Sequence, residues 1–171
     1  MFLMKRADAR KKGTKTMSKK RYYLAYGSNM NYGQMQARCP DAKPVGTALL
    51  LGYELLFKVS KTGAYLTIEK KKGGCVPLAV WEVSAADERN LDRCEGCPTY
   101  YYKKEMRLPV ERFASGRTTK TNAFIYIMHE YRRFGIPTGR YLYGCVKGYR
   151  TFGFDPKYLY DAFERSASYT F

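Results

Sequence analysis

The chain has 171 residues, room for one domain with at most a tail beside it, and 45% hydrophobic with 16% aromatic content is enough to build a core. Wholesale disorder is excluded, and no apolar run reaches the roughly 18 residues that a membrane-spanning helix needs. Lysine and arginine number 31 against 15 acids, a formal net charge of +16 whose distribution decides its meaning.

Half of that charge sits in residues 1–21, where Lys5, Arg6, Arg10, Lys11, Lys12, Lys15, Lys19, Lys20 and Arg21 face a single acid, Asp8. With scattered apolar residues and no strong period, residues 1–20 read as a flexible basic arm ahead of a domain over residues 21–171. The remaining bases are spread, as on a solvated surface. Such a charge attracts polyanions at long range but speaks to association and not to chemistry. Nucleic acid is expected to bind only non-specifically, through the arm, and no membrane partner is expected. The start lacks the apolar stretch of a secretory signal. Five cysteines, an odd number without scaffold spacing, point to reduced thiols and a cytoplasmic location.

In chain order, residues 21–26 have strand composition and end at Gly27. Ser28 or Asn29 can cap a helix over residues 31–38, closed by Cys39-Pro40. Residues 45–59 read as strand, bend, strand around Gly46 and Gly52. Residues 64–69 form a short alternating strand, residues 70–74 a turn and residues 75–83 another strand, with Pro77 indicating an edge or entry position. Ser84-Ala85-Ala86-Asp87 resembles a capping box that opens a helix to about Cys94. Two longer strands follow over residues 99–113 and 121–129. Helices are expected over residues 141–150 and from Asp155-Pro156 to about Arg165. The sum is α+β around one core, with five to seven strands and short helices.

The chemistry is bounded by what is missing. One histidine, His129, leaves no Ser-His-Asp or Cys-His arrangement, and no glycine-rich phosphate loop is present. Cys94-Glu95-Gly96-Cys97 lacks the further ligands of a zinc site and reads as two half-buried structural thiols. No metal or cofactor is expected. Two places remain. At Tyr26-Gly27-Ser28-Asn29, a strand breaking at a glycine before a helix leaves backbone N–H groups convergent and able to hold a carboxylate or oxyanion; equally, Ser28 and Asn29 merely cap. At Glu95, four residues after Leu91, a carboxylate in the last turn of a helix meets the negative end of the dipole. If it is also buried, its pKa rises toward the range of a proton shuttle; otherwise it is an ordinary exposed glutamate.

These segments together resemble a known family. Tyr23-Leu24-Ala25-Tyr26-Gly27-Ser28-Asn29-Met30, then Leu91-Asp92-Arg93-Cys94-Glu95-Gly96-Cys97-Pro98 and Gly135-Ile136-Pro137-Thr138-Gly139-Arg140-Tyr141, are similar in order and spacing to the γ-glutamylcyclotransferase-like (AIG2-like) family across about residues 22–165. The resemblance implies a small mixed β-barrel with flanking short helices, and a cofactor-free reaction on a small-molecule γ-glutamyl substrate. In that reaction the free α-amine attacks its own γ-carbonyl, giving 5-oxoproline and a free amine or amino acid. Carried over, Glu95 is base and then acid, and Tyr23, Leu24, Ala25, Tyr26, Gly27 and Ser28 hold the glutamyl moiety. Tyr101 and Tyr141 match substrate-contacting tyrosines. Strand alternation argues against Tyr101, which shares a face with Lys103 and Glu105, and makes Tyr102 the second choice. A basic nucleic-acid-binding module, or a γ-glutamyl sensor without turnover, stands as the alternative function.

Overall fold

A computed structural model describes residues 20–170; residues 1–19 of the expected basic arm lie outside the described residues. Five strands carry the architecture: β1 Arg21–Ala25, β2 Lys43–Val59, β3 Ala64–Val83, β4 Tyr101–Arg112 and β5 Thr118–Met128. They close a barrel in the order β1-β3-β2-β4-β5, in which β5 meets β1 in parallel at Tyr23↔Phe124 and every other pairing is antiparallel. This is the expected α+β class, a mixed barrel with flanking helices.

The helices are α1 Tyr32–Arg38, α2 Ala85–Glu95, α3 Gly139–Thr151 and α4 Lys157–Ser168. None among the described residues is long and apolar enough to cross a membrane. Buried aromatic and aliphatic side chains such as Phe57, Phe124, Leu24 and Ile68 fill the core, each contributing about 1.5–3 kcal/mol through its burial.

Three expected boundaries change. Residues 45–59, expected as strand, bend, strand, belong to the single strand β2, which only shifts register between Pro44 and Gly46 and between Leu51 and Tyr53. The strands expected on either side of residues 70–74 are one strand, β3, paired along its length with β2. The register steps from Tyr53↔Lys70 to Leu51↔Cys75, so residues 71–74 bulge out of a continuous ladder opposite Gly52. The cap of α1 is neither Ser28 nor Asn29. Ser28–Met30 form a 3₁₀ turn, and Asn31 caps α1 by accepting from the Gln34 amide at 3.1 Å. Pro77 sits where β3 has run past the end of the β1 ladder, in keeping with its missing donor.

Three contacts gather the helices around the end of β1 and the turn that follows it. The Tyr149 hydroxyl on α3 donates to the Tyr26 carbonyl at 2.9 Å. Gly148 lets α3 approach the 3₁₀ turn so closely that a Cβ there would stand 2.6 Å from Met30 Cβ. Asn90 of α2 donates to the Arg38 carbonyl at 3.0 Å, joining α2 to the last turn of α1. The strand end, the 3₁₀ turn and the end of α2 therefore meet in one corner of the molecule.

Candidate active site

The Ser84 capping box forms as expected, with Ser84 Oγ accepting from the Asp87 amide at 3.1 Å and Asp87 Oδ2 accepting from the Ser84 amide at 3.1 Å. Eleven residues later α2 stops because Gly96 turns into the left-handed region, φ 61° and ψ 40°, which a Cβ would disfavour. Glu95 is thereby the last helical residue. Leu91, one turn earlier, is fully buried and anchors that face of the helix.

Glu95 points inward, into the wall of a cavity of about 490 Å³ that also contains Gly27, Ser28 and Asn29. Its Oε1 accepts from Asn29 Nδ2 at 3.1 Å, and the same nitrogen lies 3.0 Å from the Tyr23 hydroxyl oxygen. The carbonyl end of Asn29 accepts from Arg38 at 2.7 Å and from Gln34 Nε2 at 3.3 Å. Burial pushes the Glu95 carboxyl above its ordinary value, and the Arg38 guanidinium and the Asn29 hydrogen bond pull partly back. Burial, reinforced by the Glu95 charge, holds the Tyr23 phenol well above its usual range, so it stays neutral.

The glycine turn is a second wall. The amides of Gly27, Ser28 and Asn29 meet no acceptor among the described residues, whereas Met30 and Asn31 donate back to the carbonyls of Gly27 and Ser28. Ser28 Oγ accepts from Gln34 Nε2 at 2.7 Å. A Cβ on residue 27 would come within 3.2 Å of the Tyr141 hydroxyl, which shows how closely Tyr141 stands over this turn. Tyr141 also accepts from the Leu66 amide at 3.2 Å, and Tyr101 donates to the Leu66 carbonyl at 2.9 Å.

The structure therefore brings Tyr23, Tyr26, Gly27, Ser28, Glu95, Tyr101 and Tyr141 to one cavity. Leu24 and Ala25 are not in its wall. Both are fully buried, and alternation along β1 sends Leu24 to the face opposite Tyr23. Tyr101, not Tyr102, faces the cavity, while Tyr102 donates to Glu130 at 2.6 Å beside His129. Tyr101 does share a face with Lys103, as alternation requires. That face is covered, because α2 supplies Glu88 at 2.6 Å and Asp92 at 2.9 Å to the Lys103 ammonium. Of the two vicinal thiols Cys97 is half-buried, but Cys94 is exposed.

Sequence reasoning missed the contacts of Asn29, Gln34, Arg38 and Tyr126. Gln34 and Arg38 are spaced four apart on one face of α1, a signal that was available. Tyr126 is held by a 2.6 Å bond to Asp92 across 34 positions, and no local pattern marks it.

Compared with known families, residues 23–143 match the model of "Gamma-glutamyl cyclotransferase, AIG2-like". Among solved structures, a protein described as a gamma-glutamyl cyclotransferase superposes with a TM-score of 0.70 at 22% identity, over 84% of this chain and 86% of that one. An uncharacterized protein from Homo sapiens does so with 0.68 at 23% identity, over 84% and 86%. YkqA from Bacillus subtilis gives 0.65 at 22% identity, over 88% of this chain and 55% of its own. Identities this low speak for a shared fold alone. No curated protein matches the chain.

Proposed function

The chain belongs to the gamma-glutamyl cyclotransferase, AIG2-like family, and from that premise we propose that it converts a γ-glutamyl amine or amino acid to 5-oxoproline and the free amine, with Glu95 as the proton shuttle. The observation that carries this reading is the meeting of Glu95 and Asn29 in the wall of a cavity shared with the Gly27 turn.

In this mechanism Glu95 takes a proton from the substrate ammonium, and the freed amine attacks its own γ-carbonyl carbon. The new C–N bond closes a five-membered ring while the carbonyl electron pair moves onto oxygen. Nucleophile and electrophile share one molecule, so little entropy is lost in bringing them together. The open amides of Gly27 and Ser28 are suited to a negative oxygen, whether the α-carboxylate or the developing oxyanion. Protonated Glu95 then gives its proton to the leaving nitrogen as the old C–N bond breaks. The second ring-nitrogen proton follows the same route, so the carboxylate ends as it began and the amine departs as an ammonium. Tyr23 already accepts from Asn29, which leaves its own hydroxyl proton for a substrate oxygen. Tyr101 spends its proton on Leu66 and keeps lone pairs for a substrate N–H.

The test is release of 5-oxoproline from a panel of γ-glutamyl amines and amino acids by the purified protein and by its Glu95→Gln variant. The variant is expected to fold and to lose about 10²–10⁴-fold in turnover, the usual contribution of a positioned acid-base group. Undiminished turnover in the variant would refute the role of Glu95. Binding without 5-oxoproline release by the wild type would mark a sensor of γ-glutamyl metabolites instead.

A further inference from the structure

Charge is unevenly distributed around the cavity. Its charged lining side chains among the described residues are Arg38, Lys61, Arg93 and Glu95, three cations and one carboxylate. Arg38 is committed to Asn29 and lies in the field of Glu95. Lys61 and Arg93 are otherwise placed: both are exposed, and neither forms an ion pair among the described residues. The partner of Arg93 is the uncharged side-chain oxygen of Asn90. The deep wall, by contrast, consists of buried groups, with Tyr23, Tyr26, Asn29 and Tyr101 all under 7% exposed. A substrate held by its glutamyl end against that wall must send its amine portion out through the mouth, where the two free cations stand.

A shallower recess of about 270 Å³ adjoins the mouth and shares Arg93, Gly96 and Tyr100 with the cavity. Its one acid, Asp92, is occupied by Lys103 at 2.9 Å and Tyr126 at 2.6 Å. Apart from Glu95, which the reaction itself uses as proton shuttle, no acid in the described walls is left to receive a cationic leaving group.

Resting on the cyclotransferase reading, we propose that Lys61 and Arg93 select a leaving amine that carries its own carboxylate, an amino acid or short peptide joined through its α-amine, and reject polyamines and other cationic amines. Guanidinium and ammonium groups at the mouth pair with a carboxylate and repel an ammonium, so one feature attracts the right substrate and penalises the wrong one.

Three probes with the same glutamyl end test this: γ-glutamyl-alanine, its neutral alaninamide counterpart, and γ-glutamyl-ethylenediamine. For the wild type kcat/KM is expected to fall in that order, by about twofold to fivefold per step for charges at an exposed mouth. The Lys61→Glu/Arg93→Glu variant is expected to reverse the order, and Lys61→Gln/Arg93→Gln to flatten it. Raising the salt concentration should compress the wild-type ratio. Equal losses on all three probes in the rim variants would mean that these cations bind the glutamyl end, and would overturn the proposal while leaving cyclisation intact. A wild-type preference for the ethylenediamine conjugate would overturn it too. Absence of 5-oxoproline from every probe would strike the cyclotransferase reading itself, and the selectivity with it.

Discussion

Asn29 and Glu95 stand 66 positions apart in the chain and meet in the cavity wall, the Asn29 amide donating from Nδ2 to Glu95 Oε1 at 3.1 Å. The same side chain receives Arg38 at 2.7 Å on its oxygen, so one amide links a cation to the carboxylate and fixes the orientation of both. Because Asn31 supplies the cap of α1, Asn29 is free for this role.

Replacing Asn29 by alanine removes the bridge and leaves polar groups of buried Tyr23 and half-buried Arg38 without that partner. A stability loss of about 1–3 kcal/mol is expected, with turnover reduced at least about tenfold, since the shuttle loses its orientation. Chemical denaturation and 5-oxoproline release measure the two effects. A stable variant of full activity would remove Asn29 from the machinery.

The pH profile of kcat/KM reports the ionisation of Glu95 in the free protein. Burial raises its pKa, so the acid limb is expected above the ordinary carboxylate value of about 4.3, with activity growing as the pH rises through it. Arg38 pulls in the opposite direction. Arg38→Met is therefore expected to move the limb to still higher pH, whereas a merely structural loss would scale the profile without shifting it.

Stability carries the opposite sign. Since the folded state raises the pKa of Glu95, protonation favours folding. That contribution is complete below the ordinary carboxylate range and is lost as pH climbs through the folded value, beyond which the ionised group opposes folding. Glu95→Gln is expected to melt at a higher temperature than the wild type at neutral pH, with the gap closing in acid. A lower melting temperature at neutral pH would contradict the desolvation argument.

Gly148 tests the coupling between fold and site. An alanine there would bring its Cβ to 2.6 Å from Met30 Cβ and 2.7 Å from the Asn31 amide nitrogen, inside any normal contact. Separation of α3 from the 3₁₀ turn is expected to cost about 1–3 kcal/mol. It should also lower turnover by displacing the Gly27–Asn29 amides, although no atom of Gly148 lines the cavity. Denaturant midpoints and steady-state kinetics on the one variant read both.

How far the sequence carries can be judged residue by residue. Ser84 and Asp87, three apart, and Gly96 after the last turn determine α2 and make Glu95 its final residue, because capping and left-handed termination depend only on backbone groups a few positions away. The glycine break after Tyr26 is legible for the same reason. Coverage of a surface is not. Lys103 and Glu105 mark β4 as wet on the odd-numbered face, yet the acids of α2 neutralise Lys103, and Tyr101 is buried on that same face. Parallel closure of β5 on β1, the bond from Tyr126 to Asp92 and the bridge from Arg38 through Asn29 to Glu95 join segments distant in the chain. Local backbone preference determined the elements and where they stop; only the packing of distant elements decided which side chains are desolvated together, and desolvation is what gives this carboxylate its raised pKa.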